Sequence, residues 1–196
     1  MRDIFIEDSA KVKNESKQKS LYNSFTVLAI FFFVVAFIVF SYIITTTLDK
    51  LNEENILLFI LLYCLPCLIA LGIGIVFWLL RNKFYVEYDY SFTSGAFRVS
   101  KVIMNKKRKF VVKFDISEVE KVGEIDSETY KNYLKINTNK KILLTNNKTP
   151  MDGKAFYYFA VKQNKTKNIY IFECKKEFII QIVNYKGRYI LDKDFK

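Results

Sequence analysis

Hydrophobic and polar positions fall into three regimes along the chain. No charged residue occurs between Lys19 and Asp49, and the middle of that gap, Phe25 to Thr45, is almost wholly apolar. A second run, Asn55 to Leu80, is equally free of charge. A helix rising about 1.5 Å per residue needs roughly 20 apolar residues to cross about 30 Å of hydrocarbon, so either run suffices. The pattern predicts a transmembrane hairpin with helices at about residues 22–47 and 55–80, joined by the acidic link Asp49-Lys-Leu-Asn-Glu-Glu54. Helices greasy on every side would need a large soluble shell to bury them, and the remaining chain is too small to supply it. A cleaved signal peptide fits poorly, since the charged leader and the apolar core are both too long and Ser41 to Thr47 lacks a small-x-small pattern.

After Arg81 the period changes to two. In Phe84-Tyr-Val-Glu-Tyr-Asp-Tyr-Ser-Phe92 the even positions are apolar and Glu87, Asp89 and Ser91 oppose them, which predicts a half-buried strand. Turns at Ser94-Gly95 and Asn105-Lys106-Lys107 then separate a strand carrying Phe97 and Val99 from one in which Phe110, Val112, Phe114 and Ile116 share a face. Ser127 is placed to cap a short helix bearing Tyr130, Tyr133 and Leu134. A strand at Ile142 to Thr145 follows, then a hairpin of Phe156–Val161 and Ile169–Phe172 around Asn164-Lys165. The third regime has helical period: Phe178, Ile179, Ile182, Val183 and Tyr185 form a stripe closed by Gly187 as a C-terminal cap. The expected organisation is a tail over 1–20, mobile or a short surface helix, the hairpin over 21–81, and a mainly β domain with a C-terminal helix over 82–196.

Charge gives the hairpin an orientation. Lys11, Lys13, Lys17 and Lys19 precede the first helix and Arg81 and Lys83 follow the second, while the link holds one Lys against three acids. Cationic flanks stay cytoplasmic, so the expected location is the cell membrane, multi-pass, with both termini inside. Tyr22 and Trp78 then fall near the inner interface and Tyr42 near the outer one. Ala70 and Gly74 have the small-xxx-small spacing that lets helices approach closely, and Pro66 is expected to kink the second helix.

Composition excludes several chemistries. The chain has no histidine, which removes imidazole-based catalysis, metal ligation and pH sensing. Its three cysteines form no disulfide framework. Cys64-Leu-Pro-Cys67 has redox spacing but lies in an apolar helix, where burial without a cation leaves a thiol inert; it is read as a packing feature. The acidic run Glu118, Glu120, Glu124, Asp126 and Glu128 has no calcium-loop pattern and reads as a solvated face. No phosphate loop or nucleophile elbow is present. Neither a catalytic residue, a metal nor a cofactor is expected, and the enzyme reading is set aside. Nucleic acid is set aside too, because the aromatic residues that would stack on bases alternate at strand period and belong to a core.

The order of elements resembles the bacterial pleckstrin-homology-like (PH-like) domains, and Phe114-Asp-Ile-Ser-Glu-Val-Glu-Lys-Val122 looks like a stretch common in that superfamily. The whole is similar to a family of uncharacterised small bacterial membrane proteins, two helices plus such a domain, known only as a domain of unknown function; residues 82–89, 110–122 and 169–182 carry that likeness. The resemblance implies a bent sheet or barrel closed by the C-terminal helix. It brings no active residues.

From Arg81 onward 25 Lys and Arg stand against 13 Asp and Glu. The densest cluster is Lys106, Lys107, Arg108 and Lys109, with Lys101 and Lys113 nearby. Only Arg81, Asn82 and Lys83 separate the second helix from the first strand, so at about 3.3 Å per residue that strand begins within roughly 10 Å of the bilayer. A strand running away from it is followed by one returning, and the basic turn then points at the headgroups, beside Arg81 and Lys83. These six residues are the expected anionic-lipid contacts; a charged tip that merely blocks edge pairing is the plainer alternative. The expected function is a non-enzymatic, membrane-anchored binding or scaffold module for a protein or anionic lipid. The alternative is an accessory subunit of a transporter or secretion complex acting through its hairpin.

Overall fold

In a computed structural model, residues 4–49, 56–136, 139–163 and 166–195 are described, and the chain divides into two compact units, Met1–Lys13 with Val86–Lys196, and Asn14–Tyr85.

The second unit is the helical hairpin: α1 (Glu15–Asp49), α2 (Ile56–Leu80) and a 3-10 turn at Arg81–Lys83. Both helices are long and apolar enough to cross a membrane, and little of either apolar stretch is buried within the protein. Their contact is built from small residues with one larger one: Ala29, Ala36 and the bulkier Ile43 on α1, at seven-residue spacing, are buried, as are Cys67 and Ala70 on α2. Seven-residue spacing keeps one stripe of α1 facing its neighbour. The helix continues through Pro66. The expected helix near residue 22 in fact begins seven residues earlier, at Glu15. The acidic link expected between the helices falls mostly outside the described residues.

The first unit is two four-stranded sheets. Sheet one has the order β1 (Phe5–Ala10), β2 (Val86–Thr93), β3 (Ala96–Ile103), β4 (Lys107–Asp115), all antiparallel. Sheet two has the order β5 (Val119–Glu124), β7 (Ala155–Gln163), β8 (Thr166–Cys174), β6 (Lys140–Leu143). The inner faces meet in an aromatic core centred on Phe97, whose ring lies 5.1 Å from Phe114, 5.3 Å from Phe159 and 5.0 Å from Phe172. The C-terminal helix α4 (Lys176–Lys186) inserts Phe178, Ile179, Ile182 and Val183 into the same core and ends on Gly187, whose φ of +114° only glycine adopts without strain. The short helix α3 (Glu128–Lys135) is capped by Ser127, which accepts a hydrogen bond from the Tyr130 amide. It covers the outer face of sheet two, packing Tyr130 against Tyr158, Ala160, Ile169 and Ile171. Burial on both faces explains why Phe156–Val161 reads as a continuous apolar run and not as an alternation.

Three expectations are corrected. The segment read as a tail supplies β1, paired with β2 from Phe5↔Thr93 to Ala10↔Tyr88. Ile6 and Ala10 contribute to the core from this strand. Phe110 does not share the inner face with Val112 and Phe114: Val99 pairs with Val112 and Ser100 with Phe110, so Val111 is an extra residue that reverses the phase of the strand. Phe110 is left 67% exposed. The β3–β4 turn, expected over Asn105-Lys106-Lys107, lies one residue earlier, over Met104 to Lys106: Met104 and Asn105 both have positive φ and the Lys106 amide donates to the Ile103 carbonyl.

Candidate functional site

Register sets the location of the basic turn within the sheet. Val86, the first residue of β2, pairs with Ile103, and Ile103 pairs with Lys107. Ala10, the last residue of β1, pairs with Tyr88 in the same region. The turn from Met104 to Lys106 therefore lies at the sheet end where β2 starts and β1 finishes. Lys106, Lys107, Arg108 and Lys109 are all exposed. Arg108 bridges to Asp89 on β2 at 3.3 Å, so its charge is partly answered. Lys106, Lys107 and Lys109 have no ion pair among the described residues.

The ladder adds two like-charge pairs. Lys101 stands opposite Lys109, and Arg98 stands opposite Lys113. Cations directly opposed across a strand pair repel, and the two pairs lie on opposite faces of sheet one. Each opposed pair is unfavourable by itself, and an anion beside it would relieve the repulsion.

The other singled-out residues are distributed as follows. Lys83 is exposed. Arg81 is engaged within the hairpin: its guanidinium sits 3.2 Å from the centroid of Trp78 and 5.4 Å from that of Tyr22, and donates to Thr26 Oγ1 at 3.4 Å. Stacking of this kind favours arginine at an aromatic helix end and leaves Lys83 the freer cation. On α2, Ala70 is buried, and a methyl group added at Gly74 would meet the Phe33 ring at 2.7 Å. Gly72 faces open space. Cys64 and Cys67 are free thiols, and Cys67 Sγ lies 3.5 Å from the Ala36 carbonyl. Of the acidic run, Glu120 pairs with Lys167 at 2.6 Å. Among the described residues no cluster of acids and cysteines is arranged to hold a metal ion.

Two polar knots lie outside the sequence reading. In the first, Asp8 on β1 pairs with Lys154 at 2.8 Å and accepts from the Lys175 amide at 2.7 Å, while Lys154 also donates to the Ser9 carbonyl. Beside it, the fully buried Glu173 accepts from Thr145 Oγ1 and Asn147 Nδ2, each at 2.7 Å, and from the Met151 amide at 2.9 Å. Asn147 in turn donates to the Lys11 carbonyl and accepts from the Lys13 amide. The knot thus fixes β1 and the segment following it. In the second, Asp192 accepts from Thr129 Oγ1 at 2.7 Å and from the Tyr158 hydroxyl at 2.8 Å. Burial acts to raise the Asp192 carboxyl, but the hydrogen bonds from Thr129, Ser127 and Tyr158 outweigh it and hold the group below the usual carboxylate range. Burial raises the Tyr158 phenol, reinforced by the carboxylate beside it. Burial likewise pushes the Cys174 thiol well up and the Tyr157 phenol up to about 12. Short polar side chains such as Asp8 and Asn147 carry no periodic signal, so pattern reading passes over them.

A family model described as bacterial PH-like domain (DUF6106) matches residues 2–191. No curated protein and no solved structure matches the chain.

Proposed function

We propose, given that the chain belongs to the bacterial PH-like domain family, that it is a non-enzymatic, membrane-anchored binding module whose β3–β4 turn docks on anionic lipid. In this reading α1 and α2 span the cell membrane, both termini are cytoplasmic, and Lys83, Lys106, Lys107, Arg108 and Lys109 meet the headgroups, with Arg81 serving chiefly as an interfacial anchor. The observation that carries it is the register Val86↔Ile103↔Lys107. It brings the exposed basic turn to the sheet end into which the chain feeds from the hairpin, only three residues after Lys83. Each cation near an anionic leaflet gains on the order of 1 kcal/mol, and the attraction fades within a Debye length of about 8 Å. Position therefore matters as much as charge.

The test uses full-length protein in nanodiscs of neutral or anionic lipid, with hydrogen exchange read over residues 103–110. The expected result is slower exchange in anionic discs, reversed by salt and abolished when Lys106, Lys107, Arg108 and Lys109 are all changed to Gln. Equal exchange in both lipids would sink the lipid reading. A stoichiometric membrane partner retained by the hairpin, together with lipid-indifferent exchange, would make the protein an accessory subunit instead.

A further inference from the structure

The basic turn leaves one feature of β4 without a role. Phe110 is 67% exposed and its bulge neighbour Val111 is 39% exposed. Four strand steps separate Lys106 from Phe110, about 13 Å at about 3.3 Å each. A headgroup layer touched by the turn tip leaves Phe110 beyond it when the strands stand upright on the surface.

Three observations converge on this stretch. First, β4 is an outermost strand, paired among the described residues with β3 alone, and Lys107 to Val111 are exposed without interruption. Such an edge presents free N–H and C=O groups that can pair with another chain. Second, the apolar pair Phe110-Val111 is flanked by Lys109 and Lys113, each already opposed by a cation on β3, Lys101 and Arg98. None of these four has a carboxylate within ion-pair distance among the described residues. Third, the charge disfavours self-pairing: a second copy laid edge to edge would bring the same cations together. An extended segment bearing carboxylates would complete the ladder and relieve the repulsion in one step.

We infer that the free edge of β4 between Lys109 and Lys113 takes an extended acidic segment of a protein partner by strand addition, with Phe110 and Val111 as the apolar anchor. Main-chain hydrogen bonds supply affinity in this mode, and alternate side chains supply specificity. The partner segment sets its carboxylates on the face of Lys109 and its apolar residues on the face of Phe110; Val111 reverses the phase, so Lys113 lies at the margin of the Phe110 face. The site shares Lys109 with the proposed headgroup contacts but not Lys106 or Lys107, so neutralising those two lysines separates this site from the lipid turn.

Full-length protein in neutral detergent micelles, titrated with a fluorescent eight-residue peptide of alternating Glu and Val, tests the inference. Two control peptides replace every Glu by Lys, or one central Val by Pro, which cannot donate to a ladder. The expected result is saturable binding of the Glu-Val peptide, at least tenfold weaker binding of the Pro version and none of the Lys version. Phe110→Ser, at an exposed position, is expected to weaken binding at least fivefold. Lys106→Gln with Lys107→Gln should leave it within twofold. Equal binding of the Pro version would reduce the site to charge attraction and overturn strand addition. No binding of any peptide would overturn the inference as well. Loss of binding on neutralising the tip would assign the peptide to the lipid turn, and a concentration-dependent dimer abolished by Phe110→Ser would assign the edge to a second copy.

Discussion

Asp8→Ala is expected to release the N-terminal strand from the sheet. The Asp8 carboxylate is 10% exposed and accepts from Lys154 Nζ at 2.8 Å, the Lys175 amide at 2.7 Å and the Ser9 amide at 2.7 Å. Removing it strands an ammonium group that is only 12% exposed, together with two backbone donors. Breaking one side of a buried pair costs about 3–5 kcal/mol. Lys154 keeps the Ser9 carbonyl as an acceptor, which places the loss at the lower end, about 3 kcal/mol. The reverse change, Lys154→Ala, leaves Asp8 with two amide donors and should cost less, about 2 kcal/mol. Replacing both partners, Asp8→Leu with Lys154→Met, removes the unpaired charge but still leaves the Lys175 and Ser9 amides without the carboxylate, so its loss should be smaller than that of Asp8→Ala without vanishing. Urea unfolding of the full chain in detergent, followed by near-ultraviolet tyrosine circular dichroism, reads these differences as shifts in midpoint at constant slope. Hydrogen exchange of the β1 amides locates them. A loss below about 1 kcal/mol for Asp8→Ala, or unchanged exchange in residues 5–10, would refute the reasoning that this pair holds the strand.

Further outcomes follow from the same packing. Gly123→Ala places a methyl group 2.7 Å from Asp192 Cβ and 2.9 Å from Tyr158 Cε1, so it should destabilise by about 1–3 kcal/mol in the same urea assay, with no loss refuting the close approach. Asp192 is held below the ordinary carboxylate range in the folded state. Its stabilisation is therefore present above the unfolded value, about 3.9, and is lost as pH falls through the folded one. Asp192→Asn should flatten the acid limb of the stability profile below about pH 4, and an unchanged limb would remove Asp192 from that role. Cys174 is fully buried, and burial raises its thiol, so iodoacetamide at pH 8 should label it only on unfolding. Labelling in the native protein would show that the core opens locally.

Strong periodicity made much of this protein readable from sequence. Runs of more than 20 uncharged residues dictate the two long helices, because no alternation remains to mark a soluble face. Strict alternation from Phe84 to Phe92, and the stripe from Phe178 to Val183, likewise dictate β2 and α4. The cluster Lys106 to Lys109 was visible for the same local reason. Four features rested on tertiary contacts. The tail becomes β1 because Asp8 finds Lys154, 146 residues away, and no local signal encodes that partner. Phe110 turns outward because one extra residue, Val111, shifts the pairing of β4 against β3, and a bulge belongs to the pair of strands and not to either alone. β6 joins β8 in parallel, a choice made by distant pairing. The like-charge ladder of Lys101 with Lys109 and Arg98 with Lys113 exists only once the register is set. Periodicity determines which face of an element is apolar; registry between elements decides which charges meet and which edge is left open.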